Sequence, residues 1–542
     1  MATTLPNPGS IPNRIPGHVQ AWLIGSGIAS LAAAAHLVND ANIPGSNIHI
    51  LDIHSGSGGG MNPSGDAVNG YFLPFECHPH FQGSCMERFL SIVPSQTWPG
   101  TSVMDTVRKF EKIERPPPQD FALVRALKHG DSSPVILDTK GIHIGAKDRW
   151  SLIKFILENE KGIGSKTIKD VLDESFFETT FWMMWATTFG LQPWHSAIEF
   201  QRHLRKYLED IHSLNNLKSS NRTEYNLYES IIIPVTAFLK DQGVSFCFNA
   251  EVTNLMVYPE SDPCIVTGIE VVKDGTKRQI PVCLDDIVIV TLGSTSAGAA
   301  LGTNVSSPPN LSINWEDRMF RDWRLWQKLA QISPKFGNPT NFLSQGLQST
   351  VESFTTTFDG PDFMVLYERL THDRPGTGAK VSLTQSNWSI TLSVPHQPVF
   401  PDQSNNTNII CGYALSPLKE GNYVKKPMYE CSGEEILIEV LSYLNFPVKS
   451  ILPSSKTIPC GMPLGTAPFL PRYNWNRPNV IPHHTTNLAC IGQFVEIPEY
   501  TTSSMEYSVR GAQIAVAELM RLPRKSEKIK KNILLEVLDL II

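Results

Sequence analysis

The hydrophobic pattern near the amino terminus predicts a strand, a tight turn and a helix. An apolar run ending at Ile24 is followed by the glycine-rich turn Gly25–Ser30 and by an alanine-rich segment up to Val38. A second apolar run, Ile48–Leu51, ends in Asp52, about 20 residues after the turn. This order and spacing are typical of a Rossmann unit, whose acid binds a ribose hydroxyl.

The residues of the turn have separate expected roles. Gly25 permits the tight turn, and Gly27 lets the backbone approach a pyrophosphate. The following residues, Ile28 and Ala29, open the helix, whose unpaired N–H groups and positive dipole end favour an anion. Ser30 stands where a third glycine is usual, and it is small enough for close packing of the helix.

Later segments of the chain are predicted to contribute further residues to the same cofactor site. A glycine cluster, Gly58–Gly60, follows Asp52; two more apolar runs end in Gly293 and in the pair Gly492-Gln493, and a helix is expected from Ser504 to Met520. Since flavoproteins close the cofactor site with such a carboxy-terminal return, FAD is favoured over NAD. The predicted cofactor-binding residues are Gly25, Gly27, Ile28, Ala29, Ser30, Asp52, Gly59, Gly60, Val252, Gly293, Gly492, Gln493 and Ser504.

The middle of the chain is predicted to form the substrate-binding part of the protein. The aromatic segment 181–203 predicts helices that either line an apolar tunnel or form a buried pair, and strand-like runs fill 253–290 and 345–415. We therefore expect an α/β fold with a Rossmann-type FAD-binding domain assembled from discontinuous segments, an inserted mixed α/β substrate domain, a helical lid portion and a carboxy-terminal helix. The expected segments are a flexible leader (1–17), the first FAD part (18–145), the helical lid region (146–225), the second FAD part (226–300), the substrate region (301–425), the FAD completion (426–520) and a basic tail (521–542).

Composition narrows the class of protein. The chain has 542 residues, 41% apolar and 18% charged, which excludes a disordered chain or a coiled coil. A net charge of -6 argues against nucleic-acid binding. The nine cysteines include no CxxC pair, so we expect reduced thiols. No apolar stretch has the length of a membrane span and the start lacks a signal-peptide core, so we expect a cytosolic protein.

The carboxy-terminal tail carries basic and apolar residues at helical spacing. Such a helix either lies on an anionic membrane surface or packs against the body of the protein or a second subunit, and we expect a homodimer. The residues of this pattern are Arg521, Arg524, Lys525, Lys528, Ile529, Lys530, Lys531, Ile533, Leu534, Val537, Leu538 and Ile541.

Titratable residues concentrate in the segment Glu76–His80, with Cys85 just beyond. Three interpretations remain open: metal binding, for which no matching second pair of ligands exists; acid–base chemistry beside a cofactor; and a structural role. We predict no metal site. His195, which precedes a helical run, is expected to be a packed histidine.

The longer motifs resemble one family. The strings GSGIASLAAAAHL, FWMMWATTFGLQPWHSAIEF, YNLYESIIIP, GYALSPLKEGNYVKKPMYECSGEEIL, NLACIGQFVEIPE and MEYSVRGAQ are similar to those of the oleate hydratases, also called myosin-cross-reactive antigens. The resemblance covers nearly the whole chain. It implies FAD binding and the addition of water to a cis double bond of an unsaturated fatty acid, with flavin not consumed.

The family's catalytic motifs are altered here. Where the family has GGREMENHFEC, this chain has PFECHPHFQGSC, and two alignments put either Glu76 or His78 on the catalytic Glu. Neither alignment keeps the family's flavin-contacting Arg. The family's RRY, whose Tyr is credited with protonating the alkene, is Gln201-Arg202-His203. The resemblance thus implies His203 as the acid and Glu76 or His78 as the base that activates water.

The expected substrate contacts also differ from the family. The family motif TTNRQPHF binds the fatty-acid carboxylate, and the matching segment of this chain is SVPHQPVF. Ser393 keeps a similar hydroxyl, and we predict His396 and Gln192 as further substrate-binding residues. Two other functions stay open: a flavin-dependent isomerase or oxidoreductase acting on a polyene or lipid-like metabolite, and a catalytically silent protein that binds FAD and lipid.

Overall fold

Two large β-sheets, whose strands alternate along the chain, form the framework of the protein. The structure is a computed structural model that describes residues 11–114, 124–129, 134–137, 144–207, 221–260, 262, 264–309, 315–376, 380–502 and 504–523. In these ranges the strands are β1 (Ala21–Ile24), β2 (Ile48–Leu51), β3 (Ser64–Asp66), β4 (Gly70–Phe72), β5 (His80–Phe81), β6 (Val124–Lys128), β7 (Val135–Leu137), β8 (Asn221–Arg222), β9 (Ser245–Cys247), β10 (Ala250–Tyr258), β11 (Ile265–Lys273), β12 (Thr276–Pro281), β13 (Ile287–Thr291), β14 (Ala300–Leu301), β15 (Val351–Asp359), β16 (Lys380–Leu383), β17 (Ile390–Ser393), β18 (Thr407–Ala414), β19 (Ser455–Met462) and β20 (Leu488–Ile491).

Helices cover the sheets and form a separate layer in the middle of the chain. Within the same ranges the α-helices are α1 (Ile28–Asn39), α2 (Ser84–Ser91), α3 (Val103–Glu114), α4 (Ala146–Leu157), α5 (Glu160–Ile163), α6 (Glu174–Phe177), α7 (Thr180–Phe189), α8 (Ala197–Lys206), α9 (Ile233–Asp241), α10 (Trp315–Ile332), α11 (Thr340–Leu343), α12 (Gly346–Ser349), α13 (Asp362–Thr371), α14 (Gly433–Tyr443), α15 (Val448–Ile451) and α16 (Met505–Leu519).

The first sheet is parallel and five-stranded, in the order β20-β13-β1-β2-β9. Its strands are short apolar runs because helices cover both faces of a parallel sheet. Helices α1 and α16, from opposite ends of the chain, pack against each other, and α16 also contacts β20. The predicted α/β class, the Rossmann-type unit and its carboxy-terminal return are confirmed.

The second sheet is eight-stranded, in the order β14-β19-β15-β18-β17-β16-β6-β7, and only its β16–β6 pair is parallel. One of its faces packs on α13 and α14. Strands β6, β7 and β19 belong to this sheet, although the sequence-based boundaries put residues 124–137 and 455–462 in FAD segments. Pairing partners depend on tertiary contacts that a short apolar run does not specify. The domain boundaries remain predictions.

Helices α4 to α8 share a third core, which is rich in aromatic residues. Trp185 is fully buried, with its ring centre 5.9 Å from that of Phe200 and 5.7 Å from that of Phe181. Most of the aromatic segment therefore fills a core between helices, and Phe189, the last residue of α7, lines a cavity described below.

Two further observations concern the described ranges as a whole. None of their helices combines the length and apolar character needed to span a membrane. All nine cysteines lie in these ranges, and none forms a disulfide bond. The basic tail from residue 524 onward falls outside the described residues.

Candidate functional site

The glycine turn between β1 and α1 leaves an open helix terminus. Gly25 has φ of +95°, a left-handed conformation that glycine adopts without strain. Gly27 is the N-cap of α1, and no side chain caps the helix there. A Cβ atom built on Gly27 would meet no atom within 4 Å. The first N–H groups of α1 are therefore left for a ligand that approaches the backbone closely.

A cavity of about 270 Å³ surrounds this turn. Ser30 is not among its lining residues because it is fully buried, with its hydroxyl 2.9 Å from that of Thr291. Ser504 lines a second cavity instead. The other predicted cofactor-binding residues all line the first cavity: Gly25, Gly27, Ile28, Ala29, Asp52, Gly59, Gly60, Val252, Gly293, Gly492 and Gln493.

Asp52 lies at the carboxyl end of β2, with its carboxylate already hydrogen-bonded. Oδ2 accepts from the backbone N–H of Ser26 at 2.5 Å and from its hydroxyl at 2.6 Å. Oδ1 accepts from the backbone N–H of His54 at 2.7 Å and lies 3.0 Å from its Nδ1. Burial acts to raise the pKa of Asp52, but these hydrogen bonds from His54 and Ser26 outweigh it and leave the pKa below its ordinary value.

These features fit a dinucleotide. Its pyrophosphate matches the uncapped start of α1, and its ribose matches the ionised Asp52 at the end of β2. A ribose hydroxyl would share the Asp52 oxygens with Ser26 and His54. Since the His54 side chain is 56% exposed, it can turn away without leaving an unsatisfied buried group.

A second cavity, also of about 270 Å³ and predominantly apolar, adjoins the first. Thr295, Gln493 and Met505 line both cavities. The Thr295 hydroxyl donates a hydrogen bond of 3.2 Å to Gln493 Oε1 at this junction. An apolar ligand in the second cavity would therefore lie directly beside a dinucleotide in the first.

The predicted catalytic residues lie at different depths relative to the second cavity. His78 lines it, and its ring centre is 5.9 Å from that of Phe75, another lining residue. Glu76 belongs to a short 3-10 turn, Phe75–Cys77, and its side chain is outside the described part of the structure. Both assignments for the water base therefore stay predictions.

His203 lies one layer behind the cavity wall. Its ring centre is 4.9 Å from that of Phe189 and 5.7 Å from that of Phe469, and both phenylalanines line the cavity. Nδ1 is 2.7 Å from the Glu199 carbonyl oxygen, and Nε2 is 3.0 Å from the Thr501 hydroxyl. Burial lowers the pKa of His203 to about 4, so the ring is neutral at neutral pH.

The neutral tautomer of His203 follows from these contacts. Because the Glu199 carbonyl can only accept, Nδ1 of the neutral ring carries the proton, and the Thr501 hydroxyl lies 3.1 Å from Nδ1 and 3.0 Å from Nε2. The ring then has no proton directed at the cavity. The predicted role of His203 as acid remains untested, and this geometry does not favour it.

A buried network of ion pairs fixes α8 behind the cavity. Arg202 binds both Glu160 oxygens, at 2.9 and 2.8 Å, and Glu496 at 2.7 Å. Arg472 pairs with Glu199 at 2.9 Å and with Glu496 at 2.8 Å. Burial acts to raise the pKa of Glu199, but the neighbouring arginines lower it to about 2. The network therefore stays ionised and anchors the helical layer to the segments around β20.

The predicted substrate-binding residues are only partly brought together. Ser393 lines the apolar cavity. Gln192 lies beside it, with Nε2 donating to the carbonyl oxygen of Leu415, a lining residue, at 3.2 Å. His396 is not in the wall, and its ring centre is 5.3 Å from that of Phe110. The fully buried His195 is a packed histidine, as predicted.

The side chains of Glu76 and His80 are outside the described part of the structure, so the metal interpretation of this segment stays a hypothesis. The Cys77 thiol donates a hydrogen bond of 2.8 Å to the Met61 carbonyl oxygen. Across the described ranges, no group of three His, Cys, Asp or Glu side chains is placed to hold a metal ion.

Sequence reasoning missed several polar residues of the apolar cavity, among them Tyr207, Lys380 and Tyr413. Tyr207 follows His203 by one helical turn, so that spacing alone was a usable signal. Lys380 begins strand β16, and Tyr413 is near the end of β18. Which way these two side chains point depends on strand register, which the sequence pattern does not fix.

The chain is similar to known proteins over most of its length. The family model described as MCRA family matches residues 18–517. An oleate hydratase from Streptococcus pyogenes serotype M49 (strain NZ131) is 32% identical over 516 residues, covering 92% of this chain and 84% of the relative. A linoleate hydratase from Lactiplantibacillus plantarum is 29% identical over 551 residues, covering 93% of this chain and 94% of the relative.

Solved structures share the fold at low sequence identity. Cyclohexylamine oxidase from Brevibacterium oxydans IH-35A has a TM-score of 0.52 at 13% identity, covering 93% of this chain and 99% of that chain. An oxidoreductase from Methanosarcina mazei has a TM-score of 0.50 at 11% identity, covering 91% and 99%. At these identities the similarity shows a shared fold and nothing about function.

Proposed function

Because the chain belongs to the MCRA family, we propose that it is a hydratase that adds water to a carbon–carbon double bond of an unsaturated fatty acid. The resemblance first seen in the motifs is confirmed by the match over residues 18–517. Two relatives that align with more than nine-tenths of this chain are named as hydratases of oleate and linoleate. The observation that carries the proposal is the apolar cavity that meets the glycine-turn cavity at Thr295, Gln493 and Met505.

The glycine-turn cavity is proposed to hold FAD. The start of α1, at Ile28 and Ala29, would bind the pyrophosphate, and Asp52 would bind a ribose hydroxyl. When bound, the flavin would supply a fixed electrostatic surface beside the alkene and would not be consumed. Gly293, Gly492 and Gln493 would lie along it, and Gln493 also lines the apolar cavity.

The reaction needs one proton donor and one base on the wall of the apolar cavity. An acid adds a proton to one alkene carbon, water attacks the other carbon, and the base takes a proton from that water, so the sum is one added water. His78 or Glu76 is proposed as the base. For the acid, His203 was predicted from the sequence, whereas Tyr207 lines the cavity and its hydroxyl donates to Gln82 Oε1 at 3.2 Å.

Two further proposals concern assembly and location. The basic tail beyond residue 523 is proposed to hold the enzyme at an anionic membrane surface, which would supply a water-insoluble substrate directly. The alternative for the tail is packing against a second subunit in a homodimer.

Product analysis tests the proposed reaction. FAD-loaded protein is incubated with oleate and with linoleate in the absence of oxygen, and the products are identified by mass spectrometry. The proposal expects a hydroxy fatty acid that is heavier than the substrate by one water, with the flavin absorbance unchanged at the end. Heat-denatured protein serves as the control.

The alternative functions give different results in the same experiment. Flavin bleaching or a shifted double bond without added mass would indicate an oxidoreductase or isomerase. Binding of fatty acid without any product would indicate a catalytically silent FAD- and lipid-binding protein. Either result would overturn the proposed hydratase.

A further inference from the structure

Lys380 places a cation on the wall of the apolar cavity. The residue is half-buried, and it is one of the residues that line the cavity. Nζ donates one hydrogen bond of 2.9 Å to the carbonyl oxygen of Thr188, and it lies 5.9 Å from the centre of the Tyr413 ring. Among the side chains that the structure describes, which do not include that of Glu76, no aspartate or glutamate forms an ion pair with Lys380.

The ammonium group therefore retains unused donor capacity. It has three N–H bonds, and the described part of the protein supplies an acceptor for one of them. A charge in apolar surroundings is costly unless an opposite charge and hydrogen bonds compensate it. The cavity thus favours a ligand that brings its own negative charge and acceptor oxygens to this point.

The neighbouring strand adds a second polar group. Lys380 in β16 pairs directly with Ser393 in β17, and both residues line the cavity. Directly opposed residues in an antiparallel pair have Cβ atoms about 5 Å apart, so one carboxylate can contact both side chains. An ammonium and a hydroxyl together match the two oxygens of a carboxylate.

We propose that Lys380 binds the carboxylate of the fatty acid, with Ser393 as its neighbour, and so makes the enzyme specific for free acids over alcohols and esters. This inference rests on the proposed function, because it assumes that the apolar cavity holds a fatty acid. It also explains how the chain recognises the head group although Pro395 and Val399 replace hydrogen-bonding residues of the family motif.

The proposal implies a pH dependence of binding. Burial lowers the pKa of Lys380 to about 8, and the cation is the form that attracts a carboxylate. The charged groups on the adjacent strand β6 are Arg125, which pairs with Asp373 at 2.8 Å, and the exposed Lys128. Burial raises the pKa of Tyr413, so its phenol stays neutral over this range.

Helix α7 and strand β17, which also pack against β16, carry no charged side chains. Among the side chains that the structure describes, the other titratable groups of the cavity are His78 and Tyr207, and Glu76 is a proposed base on the same wall. The affinity for a carboxylate should therefore fall as the pH rises through about 8, by roughly tenfold for each further pH unit until the ligated form also deprotonates.

Equilibrium binding to FAD-loaded protein tests the assignment without requiring turnover. The dissociation constants of oleate and oleyl alcohol are measured for the native protein, Lys380→Met, Lys380→Arg and Lys128→Met. Methionine keeps an unbranched chain without the charge, arginine keeps the charge, and Lys128→Met removes an exposed lysine of the same sheet. The melting temperature of each variant shows whether it folds.

We expect Lys380→Met to weaken oleate binding by about tenfold or more and to leave oleyl alcohol binding within about twofold. Lys380→Arg should keep most of the preference for the acid, and Lys128→Met should keep all of it. An unchanged preference for the acid in Lys380→Met, or a native protein that binds oleate no better than oleyl alcohol, would overturn the proposal. If Lys380→Met fails to fold, loss of that preference above pH 8 in the native protein supports the assignment, and its persistence refutes it.

The same samples separate this inference from the proposed reaction. Native protein that binds oleate through Lys380 but forms no hydroxy fatty acid would contradict the hydratase and leave the carboxylate site intact. Native protein that hydrates oleate with an unchanged KM in Lys380→Met would contradict the carboxylate site and leave the hydratase intact.

Discussion

At Gly27, the proposed cofactor site requires a residue without a side chain, although the fold does not. It has φ of -71°, a conformation open to any L-residue, and a Cβ atom there would meet nothing within 4 Å. A larger side chain therefore fits the fold but projects into the space proposed for the pyrophosphate. A substitution of Gly27 can therefore weaken cofactor binding without destabilising the fold.

We predict that Gly27→Leu folds normally but binds FAD at least roughly tenfold more weakly than the native protein. Flavin absorbance of the purified protein and titration of the FAD-free protein measure this. Gly17→Leu is the matched control, because a Cβ atom at this exposed glycine also meets nothing within 4 Å, far from the cavity. A folded Gly27→Leu protein with native flavin content would remove the glycine turn from the cofactor site.

The sequence predicted the cofactor-site residues correctly where they lie close together in one sequence motif. The turn at Gly25, the acid Asp52 and their spacing belong to one continuous motif, and the structure brings them to one cavity. Ser30 was assigned to the same motif, yet its hydroxyl bonds Thr291 on a strand far away in the sequence. Lys380 was missed because only the pairing of β16 with β17 brings it beside Ser393.

At the scale of elements, the rotation of helix α8 determines which of its side chains faces the apolar cavity. The family resemblance implied His203 as the acid, but the ion pairs of Arg202 and the packing of His203 behind Phe189 hold His203 away from the cavity. Tyr207, one turn later, lies in the wall. The sequence predicted the helix, and tertiary contacts set its rotation.

The two candidates for the acid differ in their expected kinetics. We predict that Tyr207→Phe lowers kcat by about a hundredfold or more with little change in KM, since a general acid contributes in the transition state. His203→Gln should lower kcat by less than about tenfold, because its effect would come from packing behind the wall. Steady-state hydration of oleate by both variants checks this, and the reverse order of effects would assign the acid to His203.

At the scale of the whole molecule, the apolar cavity is lined by Thr295 and Gln493, which follow strands of the five-stranded sheet, and by residues of the eight-stranded sheet such as Lys380 and Tyr413. Four strands of the five-stranded sheet, β1, β2, β13 and β20, were predicted from short apolar runs that end in a glycine or an acid, whereas β9 was not. The eight-stranded sheet was not, because its strands come from 124–137, 300–301 and 351–462 and pair across long sequence separations. The cavity between the sheets is therefore a property that no single segment predicts.

The basic tail is proposed to bind the whole molecule to an anionic membrane. We predict that the full chain sediments with phosphatidylglycerol vesicles, that a chain ending at Arg521 does so much less, and that binding of the full chain weakens as salt rises. Electrostatic attraction between lysines and lipid headgroups is the reason. Equal and negligible sedimentation of both chains would assign the tail to packing or dimerisation instead.

The central claim is that this chain adds water to a fatty-acid double bond, and the source of the new oxygen tests it most directly. FAD-loaded native protein is incubated with oleate in heavy-oxygen water under ordinary oxygen gas, and the hydroxyl group of the product is analysed by mass spectrometry. Hydration predicts that the hydroxyl oxygen carries the solvent label. A hydroxyl oxygen without the label would come from oxygen gas and would contradict the account.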